Sequence, residues 1–119
     1  MIGALLALAA NTLAAPVDIG PEPTMDEFIA IVEPALITEM PASKEVTFVW
    51  PYRLLPGGIG YYTCGKVGTF KGRVPREEIW VSAVVAKSKT VNTQWSTKNG
   101  MLAWICKRSV KKGELIPRG

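Results

Sequence analysis

A chain of 119 residues with two cysteines, no histidine and a formal net charge of +4 is the size of one small domain. Without histidine a Ser or Cys nucleophile has no imidazole to activate it, and two cysteines alone are too few soft ligands for zinc. The composition therefore argues against triad hydrolysis and against a metal site.

The chain opens on Met1–Ala15, which carries no charged side chain; Ile2–Ala10 is an apolar run too short to span a bilayer as a helix. Small residues Thr12, Ala14 and Ala15 stand before Pro16, so residues 1–15 are expected to be a secretion signal cut before that proline. No cysteine follows at once to mark lipid attachment, and no later stretch is long and apolar enough to cross a membrane. A periplasmic or secreted product without a transmembrane segment is the expectation.

Residues 16–23 are too rich in proline for a helix or an inner strand and read as an extended lead-in. Thr24-Met25-Asp26-Glu27 has the form of a capping box, with acids suited to the partial positive charge at a helix start. Phe28, Ile31, Val32, Ala35 and Leu36 follow at helical spacing, with a kink from Pro34 or a break near Glu33 expected and an end at Pro41.

Val46, Phe48 and Trp50 alternate with Thr47, Val49 and Pro51 and predict a half-buried first strand. Leu54–Gly58 reads as a turn, Tyr61–Val67 as a second strand, Thr69–Glu77 as a polar loop and Ile79–Val85 as a strong third strand. Lys87-Ser88-Lys89 then turns the chain into a weaker fourth strand, Thr90–Trp95. Asn99-Gly100 fits either a hairpin turn or a helix start; the helix is preferred, with Asn99 as its cap. Met101, Leu102, Ile105, Cys106 and Ser109 would form its inner face and Gly113 its stop.

The predicted fold is thus α+β, a four-stranded antiparallel sheet flanked by an N-terminal and a C-terminal helix. It occupies residues 24–113 as a single domain, followed by a loose tail over 114–119. In an exported domain Cys64 and Cys106 are expected to form one disulfide, tying the last helix to the second strand. Closing a loop of that length contributes about 4 kcal/mol in the chain-entropy model.

Several of these residues carry a resemblance. Pro41-Ala42-Ser43, Phe48-Val49-Trp50-Pro51 and Tyr62-Thr63-Cys64-Gly65-Lys66-Val67, with an apolar strand and a late cysteine, resemble a group of small exported bacterial domains of uncharacterised function. Their pattern runs Asp-Pro-x-Ser-Ala-x-Phe-x-Trp and then Tyr-Cys-Gly-x-Val-Asn, over about residues 30–108 here. Met40 replaces the Asp, two extra residues separate Pro41 from Phe48, Thr63 is inserted before the cysteine, and Gly68 replaces the Asn. The resemblance implies export and a shared small fold, and no activity.

Charge is divided along the chain. From Pro16 to Cys64 the charged residues are Asp18, Glu22, Asp26, Glu27, Glu33, Glu39 and Glu45 with only Lys44 and Arg53; every other Lys and Arg lies beyond, against Glu77, Glu78 and Glu114. The simpler expectation is that the halves neutralise one another on folding. The alternative is a basic face for an anionic partner.

Glu77-Glu78, the adjacent acid pair near the third strand, would point to opposite faces and reads as solvated. No phosphate loop, EF-hand or CxxC pattern is present, so an enzyme is not expected and no cofactor is implied. Trp50, Trp80 and Trp104 are assigned to the core.

A candidate contact region combines Lys66, Lys71, Arg73 and Arg76 around the Gly-containing loop with Tyr52 and Tyr61 near turns. The expected partner is an anionic envelope component or a protein; no nucleic-acid motif is present. The functional expectation is a non-enzymatic binding or structural role in the envelope. The alternative is an inhibitor of a secreted enzyme such as a cell-wall hydrolase, plugging its active site with a rigid loop.

Overall fold

The computed structural model describes residues 18–40, 46–71 and 74–118, with 69–71 and 74–77 described as backbone. The expected secretion signal lies outside the described residues, and so does the start of the lead-in. The order of elements is α1 (Met25–Glu39), β1 (Val46–Val49), β2 (Leu55–Pro56), β3 (Tyr61–Lys71), β4 (Val74–Ala86), β5 (Lys89–Thr97) and α2 (Met101–Lys111).

α1 starts as the sequence predicts. The Thr24 hydroxyl accepts the Glu27 N–H at 3.1 Å, and the Glu27 carboxylate accepts the Thr24 N–H at 2.8 Å. The helix does not break near Glu33, the second of the two expectations, but runs through Pro34 to Glu39. The missing N–H deprives the Ala30 carbonyl of its helical partner, but Ala30 is exposed and water can replace it. Met40 ends the helix in the extended conformation that a residue before proline favours.

The sheet is antiparallel throughout, in the order β1-β3-β4-β5, with the two-residue β2 added to the edge of β3 beside β1. Its α+β class and flanking helices are those predicted, with one short strand more, because Leu55–Pro56 pairs with Tyr61–Tyr62 instead of only turning.

A larger correction concerns Thr69–Glu77. These residues are not a polar loop: β3 continues to Lys71 and β4 begins at Val74, so the two strands form one long hairpin. Backbone pairing needs no apolar side chains, which is why the sequence pattern missed it. The β4–β5 hairpin closes where expected. Lys87 (φ 52°) and Ser88 (φ 65°) both adopt the left-handed conformation of a type I′ turn.

Alternation along β4 explains its nearly continuous apolar run, interrupted only by Ser82 from Ile79 to Val85, since both faces are covered. Ile79, Val81, Ala83 and Val85 join Phe28, Val32 and Leu36 of α1, together with Trp50 and Val67, in one core cluster. Trp80 faces the other way and packs with Cys64, Leu102, Ala103, Cys106 and Leu115. The sheet is therefore a middle layer between the helices, both of which cross β4 and β5.

Trp50 holds the first cluster together. Its ring meets Phe28 edge-on at 5.4 Å and stacks parallel to Phe48 at 6.1 Å, and its indole N–H donates to Glu33 at 2.8 Å. It lies over Gly65, where a Cβ would come within 2.6 Å of the ring.

Candidate functional site

α2 is built differently from the sequence expectation. Its cap is Gly100 and not Asn99, and no side chain of the cap residue bonds the helix. Instead the Ser96 hydroxyl at the end of β5 accepts the Ala103 N–H at 3.0 Å. That closure needs Gly100, because a Cβ there would sit 2.6 Å from Ser96 Cβ.

At the other end Gly113 takes φ +77°; its N–H donates to the Val110 carbonyl at 3.1 Å, and the Glu114 N–H donates to that of Ser109 at 2.9 Å. This pair of bonds is a Schellman stop, as the glycine suggested.

The segment after it is no loose tail. Leu115 is buried against the second cluster, the Arg53 N–H donates to the Ile116 carbonyl at 2.7 Å, and the Arg118 N–H donates to that of Pro51 at 2.9 Å. Tyr52 and Pro117 form an antiparallel bridge between them.

The Cys64–Cys106 disulfide is formed, with Cα atoms 6.1 Å apart, and it pins α2 to the centre of β3. Cys106, Leu102 and Ala103 are the inner face of α2. The predicted inner face was rotated, and Trp104 is not core. Met101, Trp104 and Ile105 remain 70, 55 and 45% exposed. The helix carries two apolar stripes, and the one with Leu102, Ala103 and Cys106 turns inward.

On the outward side, Met101, Trp104, Ile105, Arg108, Lys111 and Lys112 follow at helical spacing, with the Arg108 guanidinium 5.1 Å from the Trp104 ring centroid. A shallow groove of about 450 Å³ separates Met101 and Ile105 from Gln94 and Trp95 of β5. Beneath the helix a smaller cavity of about 220 Å³ is lined mainly by apolar groups, including Leu55, Tyr62, Leu102, Leu115 and the disulfide.

Trp80 anchors the sheet side of this layer. Its ring has Lys66 Nζ at 4.8 Å and Lys107 Nζ at 6.0 Å, and its indole N–H donates to Glu78 at 3.1 Å. Lys107 also donates to the Lys98 carbonyl at 3.1 Å.

Among the described residues the charges do not neutralise pair by pair. α1 carries Asp26, Glu27, Glu33 and Glu39 and no base; α2 and its cap carry Lys107, Arg108, Lys111 and Lys112 and no acid. The sheet holds the two helices apart on opposite faces. Among the described residues the one salt bridge is Asp18–Lys87 at 3.3 Å, far along the chain from α2. The Gly20 N–H, and after it Lys87, hold the Asp18 carboxyl below its ordinary range.

Of the contact region expected from sequence, Lys66, Tyr52 and Tyr61 have described side chains. Lys66 joins the α2 layer above Trp80, and Tyr52 is half-buried beside Leu115 in the same layer. Tyr61 donates from its hydroxyl to the Gly20 carbonyl at 3.1 Å and anchors the lead-in. Arg73 and the side chains of Lys71 and Arg76 lie outside the described residues.

Among the described residues no group of three acidic or cysteine side chains converges as a metal site, and no helix is long and apolar enough to cross a membrane. No family model, curated protein or solved structure matches the chain.

Proposed function

We propose that the protein is an exported, non-enzymatic binding domain of the cell envelope, periplasmic or secreted, that attaches to an anionic envelope component through the outer face of α2. The observation that carries this reading is the separation of charge across the sheet, which leaves Arg108, Lys111 and Lys112 together without an acid on their helix. The apolar opening of the sequence, the disulfide and the likeness to small exported domains agree with an oxidising compartment.

The inhibitor alternative has less behind it, since the rigid loop it called for is largely paired strand. Retention of the oxidised protein on native envelope material tests the proposal. Wild-type retention should fall as salt rises, and Arg108→Gln/Lys111→Gln/Lys112→Gln should lower it at least tenfold at low salt. Retention unchanged by salt and by the triple variant overturns the proposal.

A further inference from the structure

We infer that α2 is a lipid-contacting helix that seats on an anionic bilayer surface, with Trp104, Met101 and Ile105 at the level of the headgroups and Arg108, Lys111 and Lys112 on their phosphates. This rests on the binding role proposed above and names the partner.

Charge alone would suit any polyanion. The apolar side chains make the distinction, because an anionic polymer offers them nothing to enter, whereas the boundary between headgroups and acyl chains receives Trp, Met and Ile favourably. Trp104 is also the kind of side chain enriched at that boundary, with an apolar body and an N–H for the wet side.

A protein partner is the weaker fit. Stable protein interfaces bury upwards of about 1,000 Å², and three side chains on one convex helix of 11 residues expose on the order of a few hundred. A soft surface needs no matching concavity.

The arrangement of the cations is consistent with this. Arg108, Lys111 and Lys112 lie on exposed positions of the last helical turns, and no carboxylate among the described residues forms a salt bridge with them. Their long stems can lie along the helix while their heads reach phosphate oxygens. Lys66 and Lys107 are engaged with Trp80 and stay with the protein. α1 packs on the opposite face of the sheet; its last residue, Glu39, accepts from the Thr93 hydroxyl and borders the groove beside Met101 and Ile105.

The experiment uses the full oxidised chain with vesicles of phosphatidylglycerol and phosphatidylcholine in equal parts, and with phosphatidylcholine alone. Co-sedimentation should occur with the first and fail with the second. Tryptophan emission should shift to the blue on binding, and Trp104→Phe should remove most of that shift, since Trp50 and Trp80 are already buried and Trp95 is half-buried against the α1 cluster.

Trp104→Ala should weaken partitioning about tenfold, and each of Arg108→Gln, Lys111→Gln and Lys112→Gln about fivefold. All four positions are exposed, and matching circular dichroism checks that the variants fold.

The inference is overturned by no binding to the phosphatidylglycerol vesicles. It is equally overturned by binding that leaves the emission unshifted and is insensitive to Trp104→Ala. If the triple charge variant still loses envelope retention in either case, the binding role stands and the partner is a polymer or a protein. If that retention is also unaffected, both readings fail together.

Discussion

Gly65 shows how one residue without a side chain sets the position of the largest one. Trp50 covers β3 at Gly65, and through that contact its indole N–H reaches Glu33 while its ring meets Phe28. A methyl group at 65 would occupy space the ring now fills, and the backbone carbonyl of Val49 at 2.9 Å blocks the other escape. Gly65→Ala is therefore expected to cost about 1–3 kcal/mol through overpacking. A lowered urea midpoint together with a changed near-ultraviolet dichroism of Trp50 would check it. The gain in strand propensity from alanine is smaller, so an unchanged midpoint would mean that Trp50 moves freely.

Among the elements, α1 depends on its first turn. The Thr24 N–H, and then the Thr24 hydroxyl, hold the Glu27 carboxyl below its ordinary range. A carboxyl depressed in the folded state contributes stability that is complete above its unfolded value near pH 4 and is lost as pH falls through the lower folded value. Acidification below about pH 4 is expected to loosen the capping box and the Asp18–Gly20 turn together, read as faster amide exchange at Thr24 and Gly20. Thr24→Ala should cost about 1 kcal/mol and weaken the pH response at position 24.

These elements also separate what sequence could reveal from what it could not. The capping box, the alternation of Val46–Trp50, the run Ile79–Val85 and the glycine stop at 113 announce themselves because side-chain chemistry creates them. The arms beyond Thr69 and before Ile79 pair through their backbones, and backbone bonds hold the segment 115–118 to residues 51–53 beside the buried Leu115. Backbone pairing leaves no residue-type pattern to find. α2 shows a third situation. Its spacing announces a helix, but Met101, Trp104 and Ile105 form a stripe as apolar as Leu102, Ala103 and Cys106. Only tertiary structure chooses between them, so the exposed face could not be found before the fold was known.

At the scale of the whole molecule, the sheet has two cores that do not touch except through its strands. The α1 side is closed by aromatic and branched residues, whereas the α2 side is smaller and includes both cysteines, each nearly or fully buried. The cross-link therefore matters most where the apolar burial is least. Replacing both cysteines by alanine is expected to remove about 4 kcal/mol of stability, read as a lower denaturant midpoint. Exchange should quicken first in α2 and in 115–118, with the α1 cluster protected longer. Uniform loss of protection would mean that the two cores melt as one.

With Asp26, Glu27, Glu33 and Glu39 on α1 and Lys107, Arg108, Lys111 and Lys112 on α2 and its cap, the two helices contribute an electric dipole directed across the central sheet. Near any negatively charged plane the field exerts a torque on it, turning the basic helix toward the plane before the surfaces meet. The turning is felt only within a few Debye lengths, about 8 Å each at physiological ionic strength, so orientation is set in the last moments of approach. Capture from such a distance is already half docked, and the rate of arrival, more than the lifetime of the contact, is the quantity that added salt would change.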